Sequence, residues 1–273
     1  MGQTQRIAMV VLMKGKINLL VRLLLSIVYH SEYDRDHLDI YIADTGSTEK
    51  EKKMVKRFIG RMEEENGLKI TFIEYDHYNF SEINNDVVLK HVRKDTDIIL
   101  LCNNDVELIN DAISLCADEC VENMDKIGTV GARLMYPDNT VQHAGITVSF
   151  TKNGIPSYSH ALLKKPFKVK KDVKRVFSWG NTGAFMMIPY KLFIEYGMLP
   201  TGYKVCFEDV EFNLNLLKSG KENITRLDAI CFHNESSTRE KRVDDDDIKK
   251  IRAYTIADPF FKERYDRLKQ KRN

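Results

Sequence analysis

The N-terminal hundred residues alternate short apolar runs with longer segments of helical periodicity, and this alternation constrains the fold more than any other feature. Strands are predicted for the apolar runs at residues 6–13, 38–43, 68–75 and 97–102. Helices are predicted for the intervening segments 16–30, 48–64 and 81–94. Strands that alternate with helices in this way are typical of βαβ units. The sequence therefore predicts an α/β fold with a mixed, mostly parallel central sheet.

Polar side chains follow two of these strands at the point where each strand ends. Asp44 comes directly after the second strand, and Asn103, Asn104 and Asp105 come directly after the fourth. In open α/β sheets, ligands bind outside the carboxyl ends of the strands. We therefore expect these side chains to converge on one crevice.

The second half of the chain is less regular. Strands are predicted at 128–135, 182–188 and 224–232, and a helix at 208–219. The lysine-rich stretch 151–175, which contains Pro156 and Pro166, is interpreted as a mobile loop. The acidic run at 243–247 and the last dozen residues are interpreted as a solvated tail around a short helix. The predicted organisation is one domain over 1–243, with two halves near 1–107 and 108–243, and a helical tail at 244–273.

Composition narrows the class of protein. The net charge of +2 gives no reason to expect a nucleic-acid partner. The five cysteines form no CxxC pair, which suits a reducing compartment. The most apolar stretch, residues 17–29, carries Asn18 and Arg22 and is too short to cross a bilayer. A cytoplasmic protein is expected, and the basic C-terminus leaves peripheral contact with the inner face of the membrane open.

Two carboxylates at strand ends have a structural and a functional interpretation each. Asp105 follows a buried strand, where a charge is costly unless it is paired or bound to a metal. Mg²⁺ or Mn²⁺ held there would neutralise a diphosphate, whereas the alternative is an ordinary turn rich in Asn and Asp. Asp44 is either a turn and helix-capping residue or an acceptor of hydrogen bonds from a base or ribose.

The second half contributes three further candidates. Glu208 and Asp209 begin a helix, where acids are favoured electrostatically, but a carboxylate there can also take the proton from an attacking hydroxyl. His233 follows a strand and is either a structural histidine or a metal or diphosphate ligand. Trp179 either stacks on a sugar ring or belongs to the core. The lysines of the 151–175 loop suit an acceptor phosphate, a lid or plain solvation: Lys164, Lys165, Lys168, Lys170 and Lys171.

Nine short motifs occur in an order that resembles family 2 of the inverting glycosyltransferases, which have the GT-A fold. The similarity covers about residues 6–262 and is greatest to bacterial enzymes of the rhamnosyltransferase and O-antigen type. The motifs are ADTGST at 43–48, YNFSEINN at 78–85, LLCNNDVE at 100–107, GARLMYPD at 131–138, VQHAG at 141–145, TGAFM at 182–186, FEDVEF at 207–212, HNESSTR at 233–239 and DPFF at 258–261.

The resemblance implies a role for each matched residue on the donor side. Asp44 would contact the nucleotide base, Asn85 the ribose or phosphate, and the main chain near Leu12 the nucleotide. Asn103 stands where the family's D-x-D motif has its first acid and would bind the ribose or donor sugar, with Asn104 beside it. The donor would be a nucleotide diphosphate sugar, most often of UDP, with dTDP and GDP as alternatives.

The resemblance also implies how the reaction would proceed. Asp105 matches the final acid of D-x-D and would ligate Mn²⁺ or Mg²⁺, with His233 as the second protein ligand. Asp209 matches the general base, and Glu208 would orient the acceptor. That acceptor would be a saccharide, a lipid-linked saccharide or a protein.

Departures from the family pattern leave alternatives open. Lys14 replaces the usual Asn at the end of the first strand, and N-N-D replaces D-x-D. The Gln-x-x-Arg-Trp signature of processive members is absent, so single additions are expected. One rival is a nucleotidyltransferase that makes nucleotide-sugars, for which only Lys14-Gly15-Lys16 resembles the usual Gly-rich basic loop. A second rival is a non-catalytic sugar- or nucleotide-binding module.

Overall fold

The first half of the chain forms a parallel sheet with helical crossovers. A computed structural model describes residues 4–166, 173–234 and 244–270. Its first elements are β1 (Ile7–Met13), α1 (Ile17–His30), β2 (Leu38–Asp44), α2 (Glu49–Asn66), β3 (Lys69–Glu74), α3 (Phe80–Lys90) and β4 (Ile98–Asn103), with a 3-10 turn at Arg35–His37. The strands lie in the order β3-β2-β1-β4, all parallel. Each predicted strand and helix of this half is confirmed to within a few residues.

The second half adds antiparallel pairing to the same sheet. Its elements are β5 (Val106–Leu108), α4 (Ala112–Glu122), β6 (Ile127–Met135), β7 (Val141–His143), β8 (Ile146–Phe150), β9 (Pro156–His160), β10 (Arg175–Ser178), β11 (Phe185–Pro189), α5 (Tyr190–Glu195), α6 (Glu208–Lys218) and β12 (Glu222–His233). β11 runs antiparallel between β4 and β6, whereas β12 runs parallel to β6. The result is an α/β fold with a mixed central sheet, as the sequence predicts.

Local sequence explains how the elements nearest the crevice begin and end. All seven residues of β1 are buried, which suits a central strand covered by helices on both faces. Thr48 and Glu51 form a reciprocal capping box at the start of α2. Gly67 ends the same helix with a φ of 65°, a left-handed conformation that glycine adopts without strain. Helix α2 is therefore capped at both of its ends.

Two expectations for the second half are wrong. Residues 156–160 are not loop, because β9 pairs with β8 as an antiparallel hairpin. The C-terminal segment is not a solvated tail around one short helix. It forms α7 (Asp245–Ala257) and α8 (Pro259–Gln270), in which Ile251 and Phe261 are fully buried. Both side chains pack in one cluster with Trp179, Val148 and Leu214, because the hairpin and α6 would otherwise expose an apolar face.

Within the described residues, no helix has both the length and the hydropathy needed to cross a membrane.

Candidate functional site

The carboxyl ends of the central strands bring the donor-side candidates together. In the strand register Leu12 of β1 is flanked by Ala43 on β2 and by Asn103 on β4, and Met13 is paired with Asp44. The structure therefore places Leu12, Asp44 and Asn103 side by side at one edge of the sheet, as the strand pattern predicts.

Asp44 closes the turn after β2 but does not cap the following helix. Its carboxylate is fully buried and accepts hydrogen bonds from the amide and the hydroxyl of Ser47. The Ser47 hydroxyl oxygen in turn accepts from the backbone N–H of Gly15, at 2.8 Å, on the loop after β1. The capping role belongs to Thr48. Asp44 forms no ion pair within the described residues, and its carboxylate contacts Ser47.

Asp105 and His233 meet at the end of β4. One carboxylate oxygen of Asp105 lies 3.1 Å from Nε2 of His233, and the side-chain nitrogen of Asn103 lies 3.3 Å from the same Nε2. The contact arises because β12 pairs with β5, so that His233 lies opposite Val106 and next to Asp105. Residues 130 positions apart thus form one polar cluster at the sheet edge.

The cluster contains side-chain types that can bind a divalent cation. In an octahedral Mg²⁺ site with bonds of about 2.1 Å, neighbouring ligand atoms lie about 3 Å apart, close to the Asp105–His233 separation. The side-chain nitrogen of Asn104 is buried beside them without a hydrogen-bond partner, so it is open to an acceptor on a ligand. No third Asp, Glu, His or Cys completes a metal cluster among the described residues. Two protein ligands with substrate oxygens and water in the other positions are a common arrangement for Mg²⁺.

Asp209 is connected to this cluster through the turn before β11. One of its carboxylate oxygens accepts from the N–H of Gly183 at 3.1 Å, and the other from the N–H of Val210 at 2.7 Å. The next residue, Ala184, accepts from the N–H of Asn103 at 3.0 Å. A side chain at Gly183 would lie 3.0 Å from the Phe80 ring, so glycine allows the turn to approach α3 as well as Asp209. The turn thus links Asp209 to the strand end that carries Asp105.

A buried amide network holds α6 in this position. The side-chain nitrogen of Asn213 donates to the carbonyl oxygens of Asp209, at 2.7 Å, and of Asn181, at 2.9 Å. Its side-chain oxygen accepts from the N–H of Asn181 and from the Thr129 hydroxyl. The first turn of α6 is therefore fixed to β6 and to the segment that leads into Gly183.

Solved structures share this architecture. GalNAc-T7 with UDP, GalNAc and Mn²⁺ superposes with a TM-score of 0.69 over 92% of this chain and 48% of that one, at 11% identity. The mannosyltransferase PcManGT from Pyrobaculum calidifontis, with GDP-Man and Mn²⁺, gives a TM-score of 0.61 over 86% of this chain and 59% of that one, at 16% identity. The fold is that of the GT-A glycosyltransferases. TarS of S. aureus also matches, with a TM-score of 0.58 over 85% of this chain and 37% of that one, at 9% identity.

Sequence comparison gives two distant relatives. The O-antigen biosynthesis protein RfbC of Myxococcus xanthus is 25% identical over 242 residues, which are 86% of this chain and 18% of that protein. The uncharacterized protein y4gI of Sinorhizobium fredii is 25% identical over 248 residues, 88% of this chain and 25% of that protein. The chain thus spans a quarter or less of the length of these relatives. No protein-family model matches it.

Three other predicted residues are buried in the structure. Glu208 is buried at the first position of α6. The side chain of Asn85 donates to the carbonyl of Leu199 at 2.8 Å and accepts from its N–H at 3.1 Å, so these contacts give no support to a nucleotide role. Trp179 is only 7% exposed and packs in the cluster with Phe261. Its indole lies 5.5 Å from the Arg264 guanidinium. The core alternative therefore describes Trp179.

The lysine-rich segment is only partly described. Lys164 lies over the Tyr136 ring at 3.3 Å, and the main chain of Lys164 and Lys165 bonds to Val141. These two lysines are thus held against the sheet. Outside the described residues lie three further lysines of the predicted loop, most of the HNESSTR motif and two basic residues of the C-terminus: Lys168, Lys170, Lys171, residues 235–239, Lys271 and Arg272.

Gln142, which contacts the His233 ring, and the adjacent His143 were not identified as site residues from the sequence. Gln142 accepts from the His233 ring, and next to it His143 pairs with His160 through their Nδ1 atoms at 2.7 Å. Burial, and then proximity to His160, hold the pKa of His143 well below its usual value, so it contributes a neutral ring. The only sequence signal was the VQHAG motif, which names the residues but not their partners.

Proposed function

We propose that this chain transfers a sugar from a nucleotide diphosphate sugar to an acceptor hydroxyl, with inversion at the anomeric carbon, in polysaccharide or glycan biosynthesis. One observation carries the proposal: the Asp105–His233 pair and the Asp209 carboxylate lie at the same edge of a GT-A sheet, linked through Ala184 and Gly183.

The donor side of the proposal is a nucleotide diphosphate bound along the carboxyl ends of β1, β2 and β4. Asp44 would accept from the base and the main chain near Leu12 would contact the nucleotide. Asn103 and Asn104 would donate to the ribose or donor sugar. UDP is the first choice of nucleotide, with GDP or dTDP next, because GalNAc-T7 is solved with UDP and PcManGT with GDP-Man.

Asp209 is proposed as the general base of a single displacement. Its carboxylate takes the proton from the acceptor hydroxyl as that oxygen forms a bond to the anomeric carbon. The bond from the anomeric carbon to the diphosphate oxygen breaks at the same time, and its electron pair leaves with the nucleotide diphosphate. Mn²⁺ or Mg²⁺, when bound by Asp105 and His233, would neutralise charge on the diphosphate. Glu208, one residue before Asp209, is proposed to orient the acceptor.

The proposal also covers the acceptor, the cellular location and the division of the domain into two halves. A saccharide, a lipid-linked saccharide and a protein are the three candidate acceptors. The RfbC relative favours a polysaccharide product, and its shared segment is 18% of that protein. A cytoplasmic protein with peripheral contact at the inner face of the membrane fits these acceptors. We place the donor in the half near 1–107 and the acceptor in the half at 108–243.

Calorimetric titration with UDP, in the presence and absence of Mn²⁺, tests the metal and donor part of the proposal. Wild-type protein should bind UDP more tightly when Mn²⁺ is present. Asp105→Ala should lose this Mn²⁺-dependent gain, because it removes the carboxylate that contacts His233. Asp125→Ala, an exposed change on the turn after α4, should keep the gain. An undiminished gain in Asp105→Ala would contradict the assignment.

Product analysis separates the proposed activity from its rivals. Wild-type protein incubated with Mn²⁺ and a panel of UDP-, GDP- and dTDP-sugars should release nucleoside diphosphate, slowly to water and faster with an acceptor. Release of pyrophosphate from a nucleoside triphosphate and a sugar phosphate would instead identify a nucleotidyltransferase. Binding without turnover of any donor would identify a non-catalytic module.

A further inference from the structure

Gln142 lies directly behind the His233 ring. It is 4% exposed, and its side-chain oxygen lies 2.6 Å from Nδ1 of His233, which is 8% exposed. The amide nitrogen of Gln142 faces the carbonyl oxygen of His233 at 3.5 Å. That nitrogen can only donate to the carbonyl, so the amide oxygen faces the ring. An amide oxygen accepts and cannot donate, and therefore Nδ1 of His233 carries the proton.

The opposite nitrogen of the same ring faces the proposed cation position. Nε2 lies 3.1 Å from a carboxylate oxygen of Asp105 and 3.3 Å from the side-chain nitrogen of Asn103. In a neutral imidazole with the proton on Nδ1, Nε2 presents its lone pair. The lone pair and the Asp105 oxygen then place two electron-rich atoms 3.1 Å apart. Two electron-rich atoms in that arrangement are complementary to a cation.

A bulge in β7 explains why Gln142 can reach the histidine. His143 pairs with Leu134 of β6, but Val141 pairs with Met135, so Gln142 is an extra residue without a partner on β6. Bulges bend a strand and redirect a side chain, and they are over-represented next to active sites. The main chain on the N-terminal side of the bulge is fixed, because Val141 accepts from the N–H of Lys164 at 2.8 Å and donates to the carbonyl of Lys165 at 3.0 Å.

We infer that Gln142 is a positioning residue that holds His233 in its Nδ1–H tautomer and thereby presents Nε2 to a divalent cation shared with Asp105. The inference rests on the proposed function, because Gln142 would orient a histidine that belongs to the proposed metal site. Gln142 does not touch the substrate or the cation. Groups that orient a metal-binding histidine in this way are typically worth about 10–100-fold in metal affinity.

Binding of Mn²⁺ alone, followed by electron paramagnetic resonance of the free ion, tests the inference. Gln142→Leu removes the acceptor at similar volume and should weaken Mn²⁺ binding by about 10–100-fold. Gln142→Glu restores an acceptor for Nδ1–H and should bind Mn²⁺ nearly as the wild type does. Thr147→Val is a matched polar-to-apolar control on β8, whose hydroxyl donates to Ser159, and it should leave binding unchanged.

Two outcomes separate this inference from the proposed function. If Asp105→Ala abolishes Mn²⁺ binding while Gln142→Leu binds as the wild type does, Gln142 has no positioning role and the metal site stands. If the wild type itself binds no Mn²⁺, both the inference and the metal part of the proposed function are overturned.

The tautomer is also measurable on the unaltered protein, which matters if Gln142→Leu does not fold. Nitrogen-15 spectra of imidazole-labelled protein with Mg²⁺ should show His233 protonated at Nδ1 only, with the signal assigned by its loss in His233→Gln. A proton on Nε2 in the Mg²⁺-loaded protein would overturn the inference.

Discussion

At the scale of single residues, the candidate reaction centre depends on how the first turn of α6 presents its acids. Phe207 has a left-handed backbone with a φ of 80°, which is uncommon for a bulky residue. The chain therefore enters the helix abruptly, and Glu208 and Asp209 follow at its first two positions. Glu208 is buried, whereas Asp209 is partly exposed and accepts from the main-chain N–H groups of Gly183 and Val210. Asp209 is thus the more accessible of the two acids.

Asp209→Asn should lower turnover by about 10²–10⁴-fold and leave UDP binding nearly intact, because an amide cannot take the acceptor proton but still accepts from Gly183. Initial rates of nucleoside diphosphate release at saturating donor measure the first effect and calorimetry the second. Asp125→Asn, an exposed change, serves as the control. Wild-type turnover in Asp209→Asn would remove Asp209 from the role of base.

Residue types at strand ends could be read from the sequence, but their partners could not. The pattern of buried runs placed Asp44 and Asp105 at one sheet edge because the ends of parallel strands coincide there. Nothing local pairs His233 with Gln142, which lies 91 positions away and reaches it through a bulge. The interpretation of Trp179 stayed open for the same reason, because some residues of its cluster, Phe261 among them, come from the C-terminal segment interpreted as a solvated tail around a short helix.

At the scale of elements, the N-terminus of α7 anchors the loop that leads into α6. Asp247 is 2% exposed, and its carboxylate accepts from the backbone N–H groups of Lys204, Val205 and Cys206 at 2.8–3.2 Å. These residues immediately precede Phe207, so one acid of α7 fixes the approach to the candidate base. The acidic run looked like a solvated surface in the sequence, because periodicity cannot tell which of four consecutive acids turns inward.

Asp247→Ala should lower the free energy of unfolding by about 2–4 kcal/mol, because it leaves several buried N–H groups without their charged acceptor. Urea unfolding followed by circular dichroism measures the loss. Asp245→Ala changes an exposed acid of the same run and should stay within about 0.5 kcal/mol of the wild type. Equal stability of the two variants would show that the loop does not depend on Asp247.

At the scale of the whole molecule, the two C-terminal helices complete the core on one side of the sheet. α7 carries none of the candidate site residues. Its Thr255 hydroxyl nevertheless lies 2.7 Å from the Tyr158 hydroxyl of β9. Phe261 of α8 is fully buried, with its ring centroid 5.7 Å from that of Tyr254. The helices therefore share one apolar cluster with the β8–β9 hairpin and α6. They should unfold together with the GT-A sheet rather than detach as a tail.

Phe261→Ala tests that cooperativity. Truncation of a fully buried phenylalanine should lower the free energy of unfolding by about 3–5 kcal/mol. If the helices and the sheet form one unit, far-ultraviolet dichroism and the fluorescence of the single Trp179 should report one coincident transition, shifted to lower urea. Ile256→Ala removes a side chain that is 57% exposed on α7 and should barely move the midpoint. An early fluorescence change that leaves most of the dichroism intact would mean that the helices dock independently, and α6 would then hold Asp209 without their help.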